Sequence, residues 1–300
     1  VRLKVTDVFS VLALTAVGCA NAQAQQVDQV IRTIDGTRPL IRPVQVALSP
    51  SGSRVAICDQ QGNRIYVIDT DGNPIWTIGA GSVVVQPVLI FFESDDALLY
   101  YVKSEKTIFR ARESNPETPD TVAAISDSVL DKLSLDRVIA LEKGLKGFLV
   151  LDREKSVVFR LTPEWSIDKK LISQGSGKGR LWSPTDIAVD LSGNIVVSDE
   201  SGCPLQAFTS DGRSLFCGSW NLSDAQRSWN SSTAGMGPGE TIWVADITNL
   251  YWRVFNRVGI QIAEYPFEEP LFRPNSFAIT TDRRMFVADD NGAIIVVSLP

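Results

Sequence analysis

The sequence predicts an all-β fold, a six-bladed propeller of four-stranded antiparallel sheets, on three observations. A strand, a turn and a second strand recur over residues 43–59, 184–199 and 274–289, each unit opening on proline and closing on aspartate. The closing positions 59, 102, 152, 199, 246 and 289, with Val102 standing in for aspartate, lie 43 to 50 residues apart, which is the length of a propeller blade. The two ends are complementary: the last repeat has three strands, ending in 293–297, and residues 29–34 form a lone strand before the first repeat. Pairing those two segments completes the sixth blade and leaves no open sheet edge at the seam.

Taken in order, residues 1–22 read as an export signal. Arg2 and Lys4 precede an apolar run from Val8 to Ala20, and Ala20-Asn21-Ala22 supplies a cleavage site. The run is too short for a membrane span. Ala16-Val17-Gly18-Cys19 resembles the lipid-attachment box of bacterial lipoproteins, so the alternative is cleavage before Cys19 and lipid anchoring in the cell envelope. The expectation is a periplasmic or extracellular domain over 23–300, with blades beginning near residue 28 and no transmembrane segment in the mature chain.

The first blade runs through Asn63–Ile68, turns at Asp71-Gly72-Asn73 and returns along Pro74–Ile78. Its alternation and polar turns suit short strands packed on both faces. The second blade is a degraded copy through Phe91-Phe92 and Leu98–Val102. Residues 112–131, with Asn115-Pro116, Thr118-Pro119 and several acids, read as an elongated connection containing a short helical piece. Later blades are marked by Gly147–Asp152, by 184–199 with its Asp211-Gly212 hairpin, and by Thr241–Asp246. Residues 219–240 are rich in Ser, Asn and Gly and lack a proline-led first strand.

The unit from Pro184 to Gly218 resembles an NHL repeat in Pro184, Ile187-Ala188-Val189, Gly193–Val197, Asp199 and Asp211-Gly212. Residues 43–79 are similar, with Gly62-Asn63-Arg64-Ile65 matching the family's turn and third strand, and 274–297 match without the last strand. The resemblance implies the six-bladed propeller over about residues 28–300.

Composition narrows the function. The 300 residues contain no histidine, which removes histidine bases, imidazole metal ligands and histidine-dependent triads together. The 29 basic and 35 acidic residues are interspersed, net −6, with no basic stripe to follow a phosphate backbone, so nucleic acid is an unsuitable partner. No cofactor is expected. The aspartates at 59, 152, 199, 246 and 289 are a blade apart, which suits a repeated turn device better than one shared metal site; whether any metal binds is left open.

The functional expectation is a non-catalytic scaffold that recognises a protein or peptide. Trp229 and Tyr251 are its binding candidates, because rigid strands can present aromatic anchors. The alternative, by analogy with six-bladed lactonases, is a calcium-dependent small-molecule hydrolase in the central channel. Counting two residues on from each blade's proline gives Gln45, Asp186 and Ser276 as its site, interrupted by Leu89. Four residues on stand Ala47, Ala188 and Ala278, small side chains where strands crowd. Cys203 and Cys217 face across the Asp211-Gly212 turn as candidates for a disulfide. Cys58, just before Asp59, reads as a buried packing residue.

Overall fold

A computed structural model describes residues 25–34, 36, 38–79, 84, 86–102, 104–124, 138–200, 203–218 and 230–300. The export segment, Cys19 and Trp229 therefore lie outside the described residues. The remainder is a ring of six four-stranded antiparallel sheets. Blade 1 holds β2 (Pro43–Leu48), β3 (Arg54–Asp59), β4 (Arg64–Asp69) and β5 (Pro74–Ile78). β1 (Gln26–Ile31) precedes it and belongs to blade 6. Blade 2 holds β6 (Pro87–Ser94), β7 (Ala97–Val102), β8 (Thr107–Arg112) and β9 (Asn115–Ala124). Blade 3 holds β10 (Val138–Gly144), β11 (Gly147–Asp152), β12 (Val157–Leu161) and β13 (Ile167–Ile172). Blade 4 holds β14 (Pro184–Val189), β15 (Ile195–Asp199), β16 (Leu205–Phe208) and β17 (Ser214–Cys217). Blade 5 holds β18 (Ser231–Gly237), β19 (Thr241–Asp246), β20 (Tyr251–Phe255) and β21 (Gln261–Pro266). Blade 6 holds β22 (Pro274–Ile279), β23 (Arg284–Asp289) and β24 (Ala293–Ser298), completed by β1.

Closure is as the sequence predicts. β1 runs antiparallel to β24, from Gln26 opposite Ser298 to Ile31 opposite Ile294, beginning three residues earlier than expected. The second and third strands of each blade are apolar on both sides because each sheet lies between two others. Val55–Cys58 and Ile65–Ile68 are all buried, and one such layer joins Ile57 and Tyr66 of blade 1 to Phe286 and Ile294 of blade 6.

Two local expectations need correction. Of the expected connection over 112–131, residues 115–124 form β9, the outermost strand of blade 2, paired with β8, and residues 125–131 lie outside the described residues. Pro116 and Pro119 are compatible with this place because an outer edge strand has N–H groups with no ladder partner to lose. Residues 231–237 do form a first strand, β18, with Ser231 in the slot that proline holds in blades 1, 2, 4 and 6. Its hydroxyl lies 2.8 Å from Thr185 Oγ1, which also contacts Ser198 Oγ at 2.8 Å, tying blade 5 to blade 4.

Three of the recurring aspartates hold the chain where it enters blades 1, 4 and 6. Asp59 accepts hydrogen bonds from the N–H groups of Ile41 (3.1 Å) and Arg42 (2.7 Å), just ahead of β2. Asp199 does the same for Trp182 and Ser183, and Asp289 for Phe272 and Arg273. Asp59 also accepts from Gly62 N and Asp152 from Lys155 N, within the following turn. The carboxylates thus satisfy backbone donors at two places, where sequence reasoning foresaw only the turn. Among the described residues no cluster of three or more metal-ligating side chains occurs.

Candidate active site

The first strand of each blade borders the central channel, and register defines two tiers of side chains on its wall. One tier contains Gln45, Leu89, Ala140, Asp186 and Ser276, each paired with the residue one place before the closing residue of the second strand. Thr233 takes the equivalent place in blade 5, within a bulge. The next tier contains Ala47, Phe91, Glu142, Ala188, Gly235 and Ala278.

The first tier joins the blades. Gln45 Oε1 accepts from Ile90 N of blade 2 at 2.8 Å, and Ser276 Oγ accepts from Val46 N of blade 1 at 3.3 Å. Asp186 Oδ2 accepts from Ala234 N of blade 5 at 3.1 Å and from Thr233 Oγ1 at 2.6 Å, while Oδ1 takes Ile187 N at 2.8 Å. Each polar side chain reaches one blade onward and satisfies an N–H on the inner edge of the next first strand, a group that would otherwise face the channel unpaired. The three predicted channel residues do converge on one cavity, but Gln45 and Ser276 are already engaged as inter-blade ties.

The second tier contains the residue that sequence reasoning missed. Glu142 stands among Ala47, Ala188, Gly235 and Ala278, whose small side chains leave open space around it. That space is a cavity of about 250 Å³, open to the channel. Phe91 and Phe277 contribute to its walls. Gly235 lets the Phe277 ring approach, since a Cβ there would lie 2.8 Å from it.

Glu142 and Asp186 are the only ionisable side chains among the residues lining this cavity, and no lysine or arginine lines it. Burial raises the Glu142 carboxyl to about 8, and the Asp186 charge adds to the shift. Burial raises Asp186 to about 6, against the pull of its hydrogen bonds to Thr233, Ala234 and Ile187, which favour the ionised form. Of the two carboxyls, Glu142 holds its proton more tightly than Asp186. Differing environments thus separate two chemically similar groups into a proton donor and a proton acceptor.

A signal for Glu142 was present as an acid two places after Ala140, directly behind the apolar run Val138-Ile139-Ala140-Leu141. It went unread because blade 3 opens on Val138 instead of proline and has a shorter hairpin, so counting from the proline had no origin there.

The other candidates lie elsewhere. Tyr251 is half-buried at the start of β20, opposite Pro266, and does not line the cavity. Cys58 is fully buried and donates to Pro87 O at 3.2 Å; burial pushes its thiol well up, away from the reactive thiolate. Cys203 and Cys217 are joined in a disulfide with Cα atoms 5.7 Å apart. They are not opposed in the ladder as the turn suggested, since Cys217 faces Gln206 and Cys203 lies ahead of β16.

No protein-family model and no curated protein matches the chain. Solved structures do resemble it. A virginiamycin B lyase from Staphylococcus aureus, described as a catalytically inactive histidine-to-alanine variant with quinupristin, has a TM-score of 0.67 at 13% identity, covering 92% of this chain and all of the other. A streptogramin B lyase gives 0.68 at 10% identity over 92% and 98% of the two chains. Selenomethionine-substituted virginiamycin B lyase from Staphylococcus aureus gives 0.60 at 12% identity over 92% and 100%. Likeness at this identity carries the fold. The expectation of a non-catalytic scaffold, with a calcium-dependent hydrolase as its alternative, is corrected: the propellers that share this architecture are named as lyases, which are enzymes and not hydrolases. The physical reason for the error is that absence of histidine was weighed as absence of proton chemistry, which a carboxyl pair also performs.

Proposed function

We propose that this chain is an enzyme of the lyase type that moves protons on a small substrate in its central channel, with Asp186 as base and Glu142 as acid. The observation that carries this reading is the pair of carboxyls facing one cavity with no basic side chain to neutralise them. In the elimination this pair suits, ionised Asp186 takes a proton from the carbon beside a substrate carbonyl. The C–H electron pair becomes a carbon–carbon double bond and the bond to the β-oxygen breaks. The leaving oxygen keeps that electron pair and takes the proton of Glu142. Proton return from Asp186 to Glu142 restores the site. The structurally similar lyase described as inactive lacks one histidine; the present chain has none at any position, and in this proposal a carboxyl takes the proton-transfer role.

The test is turnover by homogeneous protein on quinupristin and on a panel of cyclic and linear β-acyloxy esters, followed by appearance of the unsaturated product. Wild type is expected to turn over at least one member, and Glu142→Gln to lose about 10²–10⁴-fold in rate with its fold intact. No turnover across the panel, or an unchanged rate in the variant, sinks the assignment.

The resemblance to NHL repeats in blades 1, 4 and 6 and the exported character of residues 1–22 belong to the same proposal. Export is supported by the Cys203–Cys217 disulfide, a bond typical of oxidising compartments. Intact mass and N-terminal sequencing of the native-host product are expected to give a chain beginning at Gln23 or a lipid-bearing Cys19. A product retaining residues 1–22 in the cytosol rejects both.

A further inference from the structure

Blade 5 shows how this protein accommodates a fully buried carboxylate. Asp246 receives the Arg253 guanidinium at 2.8 Å, together with backbone and amide donors. The channel pair has no such cation. Among the described residues Asp186 has three hydrogen bonds but no counter-ion, and Glu142, half-buried on the channel wall, is engaged by no hydrogen bond or ion pair. A channel lined by charge of one sign, with no cation of its own, concentrates cations from solution at its carboxyls.

We propose that the cavity recognises a small organic cation, an ammonium or amidinium group carried on an apolar body. The inference rests on the channel-site reading above and names its substrate class. The charged head stands between Asp186 and Glu142, while the apolar part lies against Phe91 and Phe277, whose ring faces also attract cations. Three facts favour an organic cation over a metal ion. A hard divalent ion requires six to eight oxygens, whereas the described residues contain no cluster of three metal-ligating side chains. The nearby amide and hydroxyl oxygens, Gln45 Oε1 and Ser276 Oγ, already bind Ile90 N and Val46 N. The cavity holds about 250 Å³, with Phe91 and Phe277 beside the polar groups of its walls, which is the room of a small molecule and not of a bare ion. A neutral ligand would leave the charge of Asp186 unanswered.

Calorimetric titration with phenethylammonium, with its neutral isostere 2-phenylethanol and with phenylacetate tests this on the full chain at pH 7. The ammonium is expected to bind at least about tenfold more tightly than the alcohol, and phenylacetate not at all, because only the first supplies the missing charge. Glu142→Gln, which removes a group without hydrogen bonds and so spares the fold, is expected to weaken the ammonium about tenfold and leave the alcohol unchanged. Titrations in buffers of different ionisation enthalpy are expected to show a proton released with the ammonium, as its charge displaces the proton held by Glu142. Asp186 is the only other titratable group facing that proton from the cavity wall. Equal affinity for ammonium and alcohol, no binding of the ammonium, or calcium chloride binding that Glu142→Gln abolishes would each overturn the proposal. Binding is read without turnover, so ammonium selectivity without elimination sinks only the lyase reading. Turnover without selectivity sinks only this one.

Discussion

Asp246→Ala is expected to lower the unfolding free energy by about 3–5 kcal/mol, the cost of leaving one member of a buried ion pair without its partner. Asp246 is 0% exposed and Arg253 1%, in adjacent strands of blade 5. Asp246 Oδ2 accepts from Arg253 Nε and from Asn249 Nδ2, both at 2.8 Å, and Oδ1 takes the N–H groups of Thr248 and Asn249 at 3.2 Å. Alanine removes all four bonds and leaves the guanidinium with the half-exposed Glu264 alone, at 3.0 Å from Nη1. Arg253 Nη2 already lacks a partner, so the group has little means to compensate. Arg253→Met is expected to cost less, because Asp246 keeps its three other bonds and the replacement is apolar and long. Combining the two substitutions is expected to recover part of the alanine loss. Urea unfolding of the three variants reads the difference, and a loss below about 1 kcal/mol in Asp246→Ala would place the pair among those that barely affect stability.

That pair also shows what a repeat pattern conveys and what it hides. Position 246 was legible as a blade marker, and the marker aspartates at 59, 199 and 289 do share one task, clamping N–H groups ahead of their first strands. Nothing in the spacing indicated that Asp246 would turn to Arg253. The ring itself was legible because closure is a matter of counting strands: three at one end and one at the other leave a single arrangement without open edges. β9 was hidden by its prolines, which argue against a central strand but not against an outer one. The candidate site divides along the same line. Gln45, Asp186 and Ser276 were found by counting from a proline, whereas Glu142 sits in the blade that lacks one. The inner-edge N–H groups that Gln45 and Ser276 satisfy are a product of ring geometry, so their structural role could be seen only after the blades were placed side by side.

The channel carboxyls predict a stability that falls as pH rises, and Glu142→Gln should remove the upper part of that fall. In the unfolded chain Glu142 ionises near 4.5, whereas in the folded protein it holds its proton until about 8. Between those values the folded state binds one proton more, unfolding releases it, and each rise in pH favours the unfolded chain. The stability tied to this group is complete below 4.5, declines up to about 8 and is level above it. Asp186, moved from 3.8 to about 6, acts in the same direction over a lower window. From pH 6 to 8 the decline belongs to Glu142. Full linkage over two pH units is about 2.7 kcal/mol, and contact with water in the channel reduces the expectation to about 2 kcal/mol. Urea unfolding of wild type at pH 6 and pH 8 is expected to differ by that much more than the same pair of measurements on Glu142→Gln. Equal differences in the two proteins would mean that Glu142 ionises as it does in water, and would remove the proton donor on which the proposed elimination depends. A steeper fall in wild type would mean that the fold bears a cost above pH 6 to keep that carboxyl in the channel, and that an ammonium ligand, by supplying the absent charge, should offset it.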